Sequence, residues 1–143
     1  MKAEYFKVGG VNHMIDGGGN HFIELGYSDT NDDVWIVIHS GSRGFGHGIA
    51  YAYMAIASET EKPKEGHYPL DVNSQDGKDY IGDLDFGLDF ALKNRLLMIG
   101  KVAHAVKECG LDGEIDEATL INRNHNHATL KDGLWIHRKG ATH

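Results

Sequence analysis

The sequence predicts an α+β fold, with mixed sheet layers and one long and one shorter helix. Three observations carry this. Val34-Trp35-Ile36-Val37-Ile38 is a continuous β-branched and aromatic run, short enough for a buried strand. Leu84, Leu88, Ala91, Leu92, Arg95, Leu96, Ile99 and Val102 follow a stripe of three and four, the period of an amphipathic helix. Turn-flanked strands precede and follow these helical stretches.

The elements follow in order. Residues 1–19 are Gly-rich and irregular. His21 to Tyr27 is a strand with Phe22, Ile23 and Leu25 apolar, and Asp29 to Asp33 is a polar turn. His39 sits at the C-terminal end of the apolar strand. Small residues then allow a tight turn into a helix from about Gly46 to Glu61. Residues 62–79 hold both prolines and are expected to be a loop. Ile81 to Glu108 is one long helix, although Gly82, Gly87 and Gly100 each weaken it by about 1 kcal/mol. Cys109-Gly110 ends it, with glycine as the C-cap and Cys109 as a small packed residue. Leu130 to Leu134 is a hairpin turn, and Trp135-Ile136-His137 the returning strand.

Length and composition narrow the class. The 143 residues make about one domain, read as a single unit over 1–143 with a divergent segment at 1–16. A hydrophobic content of 41% and a charged content of 24% are those of a globular chain, which excludes disordered and fibrous classes. The net charge of −7 gives no overall case for nucleic-acid binding, so any basic patch is local, with Arg123, Arg138 and Lys139 as candidates. Cys109 stands alone, which excludes an intrachain disulfide and fits a reducing compartment. Met1 to Lys7 lacks the apolar core of a secretory signal, and no run approaches the roughly 18 apolar residues of a membrane helix. The expectation is a soluble, cytoplasmic protein with no membrane partner.

Of the ten histidines, six lie in short polar motifs. In Gly17-Gly18-Gly19-Asn20-His21 the glycines permit close approach of an anion to backbone N–H groups, and His21 is a good ligand for a borderline divalent metal. On a strand, His21 and Ile23 share one face and Asn20, Phe22 and Glu24 the other. The alternative is a glycine turn before a strand with a hydrogen-bonded histidine. In His39-Ser40-Gly41-Ser42-Arg43-Gly44, hydroxyls, N–H groups and a guanidinium fork precede a helix, which suits an oxyanion. The alternative is a core histidine before a connecting turn. His125 and His127 are two apart and on a strand would face the same way, with Asn122, Asn124 and Asn126 opposite. An exposed polar strand looks the same. His137-Arg138-Lys139 is a cationic cluster suited to a nucleotide or an RNA backbone, or a solvated chain end. Gly44-Phe45-Gly46-His47 is weaker. His13, His67 and His104 are expected in loops or at a helix surface.

Taken in order, GGGNHFIE, IHSGSRG, Leu92-Lys93-Asn94-Arg95, the His125-Asn126 pair and HRKGAT resemble the RtcB family of RNA ligases over about Gly17 to Thr142. Five motifs in family order are highly specific where any one is not. The resemblance implies an RtcB-like fold, two Mn²⁺ ions and a GTP-dependent joining of an RNA 3′-phosphate or 2′,3′-cyclic phosphate to a 5′-hydroxyl, as in tRNA splicing and RNA repair. It implies His21 as a ligand of one metal, and His39 and His125 as ligands of the other. It implies nucleotide contacts from Asn20, His21, Phe22, Ile23, Glu24, His125 and Asn126, with Glu24 meeting the guanine. Arg43, Arg138 and Lys139 are candidates for phosphate or RNA.

The sequence departs from the family in two places. Its upstream Asp-x-x-Cys metal motif and its downstream guanylylated histidine are not found. The chain is therefore expected to be a truncated or split ligase, inactive alone, with no catalytic nucleophile of its own. It would need partner chains carrying the remaining portions. His137 is not expected to replace the nucleophile. The alternatives are a non-catalytic paralogue that binds metal, nucleotide or RNA, and a small metal-dependent phosphohydrolase.

Overall fold

A computed structural model describes residues 6–7, 21–31, 33–110 and 115–140. Their elements are β1 (Phe6–Lys7), β2 (Phe22–Tyr27), β3 (Val34–His39), α1 (Gly44–Ser58), α2 (Gln75–Glu108), a 3-10 turn (Glu117–Thr119), β4 (Asn126–Lys131) and β5 (Leu134–Lys139). The class is α+β. The expected mixed sheet is replaced by two small antiparallel sheets, ordered β1-β2-β3 and β4-β5. The glycine run and Asn20, His13, and Ala141-Thr142 lie outside the described residues. The chain divides into two compact units, residues 1–41 with 92–122 and residues 42–91 with 123–143.

The first unit holds the three-stranded sheet and the second half of α2. The polar turn forms as expected, with the Ser28 N–H donating to the Asp33 carbonyl at 3.0 Å and the Asn31 amide to the Asp33 carboxylate at 2.7 Å. Register pairs Phe22 with His39, Ile23 with Ile38, and Glu24 with Val37. Residues paired across strands share a face, so Ile23, Leu25, Ile36 and Ile38 line one side. Phe22, Glu24, Val37 and His39 line the other. Ile23 is buried. The continuous apolar run of β3 is not, however, a buried strand. Val34, Trp35 and Val37 are each about half exposed, at 50%, 47% and 48%. The pleat sends Trp35 and Val37 to the face opposite Ile36 and Ile38, which are half-buried, while Val34 at the start of the strand is exposed although it shares their face. An open cleft of about 600 Å³ remains beside it, lined by Ile36, Ile38, Ile99, Val106 and Leu120.

The second unit holds α1, the first half of α2 and the β4–β5 hairpin. Helix α1 starts two residues before the expected Gly46, because Ser42 accepts from the first turn. Its carbonyl takes the Phe45 N–H at 3.3 Å and its hydroxyl the Gly46 N–H at 3.1 Å. It stops at Ser58 rather than Glu61, since Glu59 turns left-handed (φ 53°, ψ 36°) and its N–H folds back onto Ala55 and Ile56. Phe45 packs on Phe86 and Phe90, with ring centroids 5.8 and 4.9 Å apart.

Helix α2 begins at Gln75, well ahead of the expected Ile81, so the 62–79 loop is shorter than its sequence suggests. Ser74 is the reason: its hydroxyl accepts the Gly77 N–H at 3.0 Å, an N-cap bond, and Asp76 adds an acid in the first turn. At the far end Gly110 takes φ 83° and ends the helix as expected. Cys109 is exposed, not packed, although its N–H is still bonded to the Ala105 carbonyl at 3.1 Å. The hairpin turn is Asp132-Gly133 with both φ positive, at 52° and 79°, which matches the right-handed twist of the strands.

Tyr53 is buried beside the Tyr80 ring at 5.1 Å and donates to Asp83 at 2.8 Å. Burial first, then the Asp83 bond and the nearby Asp83, Asp79 and Asp76 charges, push its phenol up to about 12 from the ordinary 10.0. The folded chain then keeps a proton that an unfolded tyrosine has lost. The stability this contributes is complete below about pH 10 and disappears as pH climbs towards 12. Asp83→Asn is expected to lower the pH at which Tyr53 ionises, read by phenolate absorbance in an alkaline titration.

The helix glycines divide by surroundings. A methyl at Gly77 would run into the backbone of Asp71 and Val72, whereas one at Gly82 or Gly100 meets nothing within 4 Å. Gly82→Ala and Gly100→Ala should raise stability in urea unfolding by roughly 0.4–1 kcal/mol each. Gly77→Ala should lower it by about 1–3 kcal/mol, despite the better helix propensity of alanine.

Candidate functional site

In the first unit, His21 directly precedes β2 and His39 ends β3. Because Phe22 pairs with His39, the two histidines arrive at the same end of one strand pair. The Phe22 ring lies against the His39 imidazole, centroids 5.2 Å apart and tilted 42°. Glu24, half-buried, shares that face, while Ile23 points into the core and can offer a ligand only its backbone. Pleat geometry thus divides the expected nucleotide contacts into outward side chains, Phe22 and Glu24, and an inward anchor.

The chain just after His39 is held by α2. The Asn94 amide donates to the Ser40 hydroxyl at 3.1 Å and to the Gly41 carbonyl at 3.2 Å. The Arg95 guanidinium donates through Nη1 to the Ser40 carbonyl at 2.9 Å and through Nε to Asn122 Oδ1 at 2.7 Å. Asn122 in turn donates to the Leu92 carbonyl at 3.0 Å. Arg95 is 8% exposed, and burial lowers its pKa from the ordinary value. The helical stripe of α2 sets Arg95 among apolar residues. The structure gives it a polar role that an arginine at a core-facing helix position should have signalled. Asn94 carried no signal outside its motif.

In the second unit, Ser42 is engaged in starting α1, and in the first the Ser40 hydroxyl is engaged by Asn94. The two hydroxyls expected to face an anion are therefore part of the scaffold. Arg43 is half-buried at φ 59°, ψ −140°, a backbone region nearly exclusive to glycine, which stores about 1–3 kcal/mol. Burial lowers the pKa of its guanidinium from the ordinary value.

His125 lies before β4 and not on it, so the expectation that His125 and His127 share a strand face is not met. His127 is buried on β4 opposite Arg138, and Arg138 Nε is enclosed without a hydrogen bond. Asn124 donates to the Leu88 carbonyl at 3.1 Å, which fixes the approach to His125. Lys139 is exposed at the end of β5, opposite Asn126. His137 is stacked on Tyr80, rings 6.0 Å apart and 6° from parallel. His47, His67 and His104 are exposed. No group of three or more His, Cys, Asp or Glu side chains is gathered for a metal among the described residues.

Asn126 settles the orientation of His125. Its Oδ1 faces the Gly140 N–H at 2.9 Å, a group that can only donate. The same Oδ1 lies 3.1 Å from His125 Nδ1, which must therefore donate as well. In the singly protonated ring this leaves the lone pair on Nε2. Asn126→Ala should let both tautomers populate. Imidazole ¹⁵N chemical shifts would show this as a change from a single Nδ1-protonated form to a mixture.

A family model described as tRNA-splicing ligase RtcB matches residues 12–143. The RNA-splicing ligase RtcB2 of an Escherichia coli strain is 32% identical over 144 residues, covering 88% of this chain and 34% of that protein. The RNA-splicing ligase RtcB of Escherichia coli K12 is 31% identical over 140 residues, covering 87% and 34%. The tRNA-splicing ligase RtcB of Pyrobaculum aerophilum is 29% identical over 157 residues, covering 88% and 32%. The chain spans about a third of the length of these relatives. No solved structure matches. With a family model running from residue 12 to residue 143 and relatives aligned along most of the chain, this protein belongs to the RtcB family of RNA-splicing ligases.

Proposed function

We propose that this chain forms the metal- and guanine-binding part of a manganese- and GTP-dependent ligase that joins RNA 3′-phosphate or 2′,3′-cyclic phosphate ends to 5′-hydroxyl ends. The observation that supports this most is the arrival of His21 and His39, from separate motifs, at one end of the β2–β3 pair, with Phe22 and Glu24 beside them on the His39 face. His21 and His39 each offer an imidazole, a ligand for a borderline divalent metal, and manganese as that metal is taken from the family. Bound manganese would supply Lewis-acid stabilisation of phosphoryl oxygens.

The chain's own residues do the recognition. The Glu24 carboxylate accepts from the guanine N–H groups and would repel a phosphate placed there. Phe22 offers a ring to the base, Ile23 and Asn20 offer backbone and amide donors, and Asn126 orients His125. Arg43, Arg138 and Lys139 meet RNA phosphates, the two guanidiniums through paired N–H donors. The Asp-x-x-Cys ligands and the guanylylated histidine expected of the family are not in this sequence, so joining requires further polypeptide that carries them.

The test is a binding and joining assay with Mn²⁺, GTP and RNA bearing the two end types. The isolated chain is expected to bind manganese weakly, to prefer GTP over ATP in its presence, and to join no RNA. Glu24→Gln should reduce the GTP affinity by about tenfold, the loss of a charge-assisted hydrogen bond. Absence of Mn²⁺-dependent GTP binding overturns the proposal. Phosphoester hydrolysis that disappears in His39→Ala would replace it with a phosphohydrolase. Nucleotide binding with no joining, even when the remaining segments of a family member are supplied, would make the chain a non-catalytic binder.

A further inference from the structure

We propose that Asn94 and Arg95 are positioning residues that fix the imidazole of His39 by clamping the two residues that follow it. This rests on the assignment of His39 as a metal ligand. The clamp is made of three bonds on two consecutive residues: Arg95 to the Ser40 carbonyl, Asn94 to the Ser40 hydroxyl, and Asn94 to the Gly41 carbonyl. On the other side of His39, the β2–β3 ladder fixes the strand through the Phe22 pairing. The backbone of His39 is thus held from both directions, and the Phe22 ring at 5.2 Å lies against its imidazole.

A purely structural contact here would not need a charge. Arg95 occupies a helix position that an apolar side chain could fill, and burying a guanidinium is unfavourable unless its donors find acceptors. What the guanidinium provides that an apolar group cannot is direction. Its planar fork sets the angle of the Ser40 carbonyl relative to the Asn122 amide, and Asn122 is itself tied to Leu92. Metal–nitrogen bonds tolerate errors of about 0.2 Å, so a ligand on a strand end must be held there by its surroundings. Ser40 is 6% exposed, so water cannot readily substitute for either donor.

The experiment follows imidazole ¹⁵N–¹H resonances during a Mn²⁺ titration of the chain, since paramagnetic broadening registers even weak occupancy. Wild type, Asn94→Ala, Arg95→Lys, Arg95→Met and His39→Ala are compared, with thermal unfolding measured on each. Asn94→Ala should raise the Mn²⁺ concentration that half-broadens His39 by about tenfold or more, the range for residues that orient a metal ligand, while the chain stays folded. Arg95→Met should do the same or more, and Arg95→Lys should fall between it and wild type because an ammonium can reach one acceptor but not fork to both. Should Arg95→Met fail to fold, Asn94→Ala and Arg95→Lys decide the matter. A lowered melting temperature with His39 broadening unchanged in Asn94→Ala and Arg95→Lys overturns the positioning role and leaves the metal assignment intact. No broadening of His39 in the wild type overturns both.

Discussion

Arg95 puts a positive charge on the inward stripe of α2, where it is only 8% exposed, and the first unit is arranged to answer that charge with oxygen atoms. The Ser40 carbonyl and the Asn122 amide oxygen must both be in place, since a buried guanidinium lacking either is unfavourable by several kcal/mol. Strand β3, the middle of α2 and the segment at Asn122 are therefore coupled within the unit through one guanidinium. Asparagines extend the same device. Asn94, Asn122 and Asn124 each use a side-chain amide to bind a backbone carbonyl, which anchors irregular chain that no neighbouring strand pairs. Helix α2 acts here less as a packing surface than as a rail to which functional segments are tied.

The pleat of β2 separates folding from chemistry with single-residue resolution. Ile23 and Leu25 point to the core face, and Phe22 and Glu24 point with His39 to the open face. Changes on the open face can therefore be made without emptying the core. One-residue slippage of the register would exchange the two sets entirely, so the turn at Ser28 to Asp33, with five internal bonds among its described residues, protects both faces of the sheet.

What could be read from the sequence depended on how local its physical cause is. The Asp132-Gly133 turn, the Gly110 helix end and the polar turn after β2 are set by dihedral preferences of a few residues, and each is where the sequence places it. The motif order identified the family for the same reason: the signal lies in short stretches. The start of α2 was less legible because its cap, Ser74, is followed by polar residues and a glycine that resemble a loop. The exposure of β3 and of Cys109 was not legible at all, since burial depends on what covers a face and not on the residues within it. The meeting of His21 and His39 depends on strand register, and the role of Arg95 on its partners far along the chain. Neither appears in any single window of sequence.

Arg43 carries an implication for how this chain has been shaped. A residue at φ 59°, ψ −140° is relaxed as glycine and strained as anything else. A chain optimised for folding alone would hold a glycine here, as it does at the neighbouring positions 41 and 44. An arginine on this backbone trades local conformational ease for a guanidinium held in one fixed place.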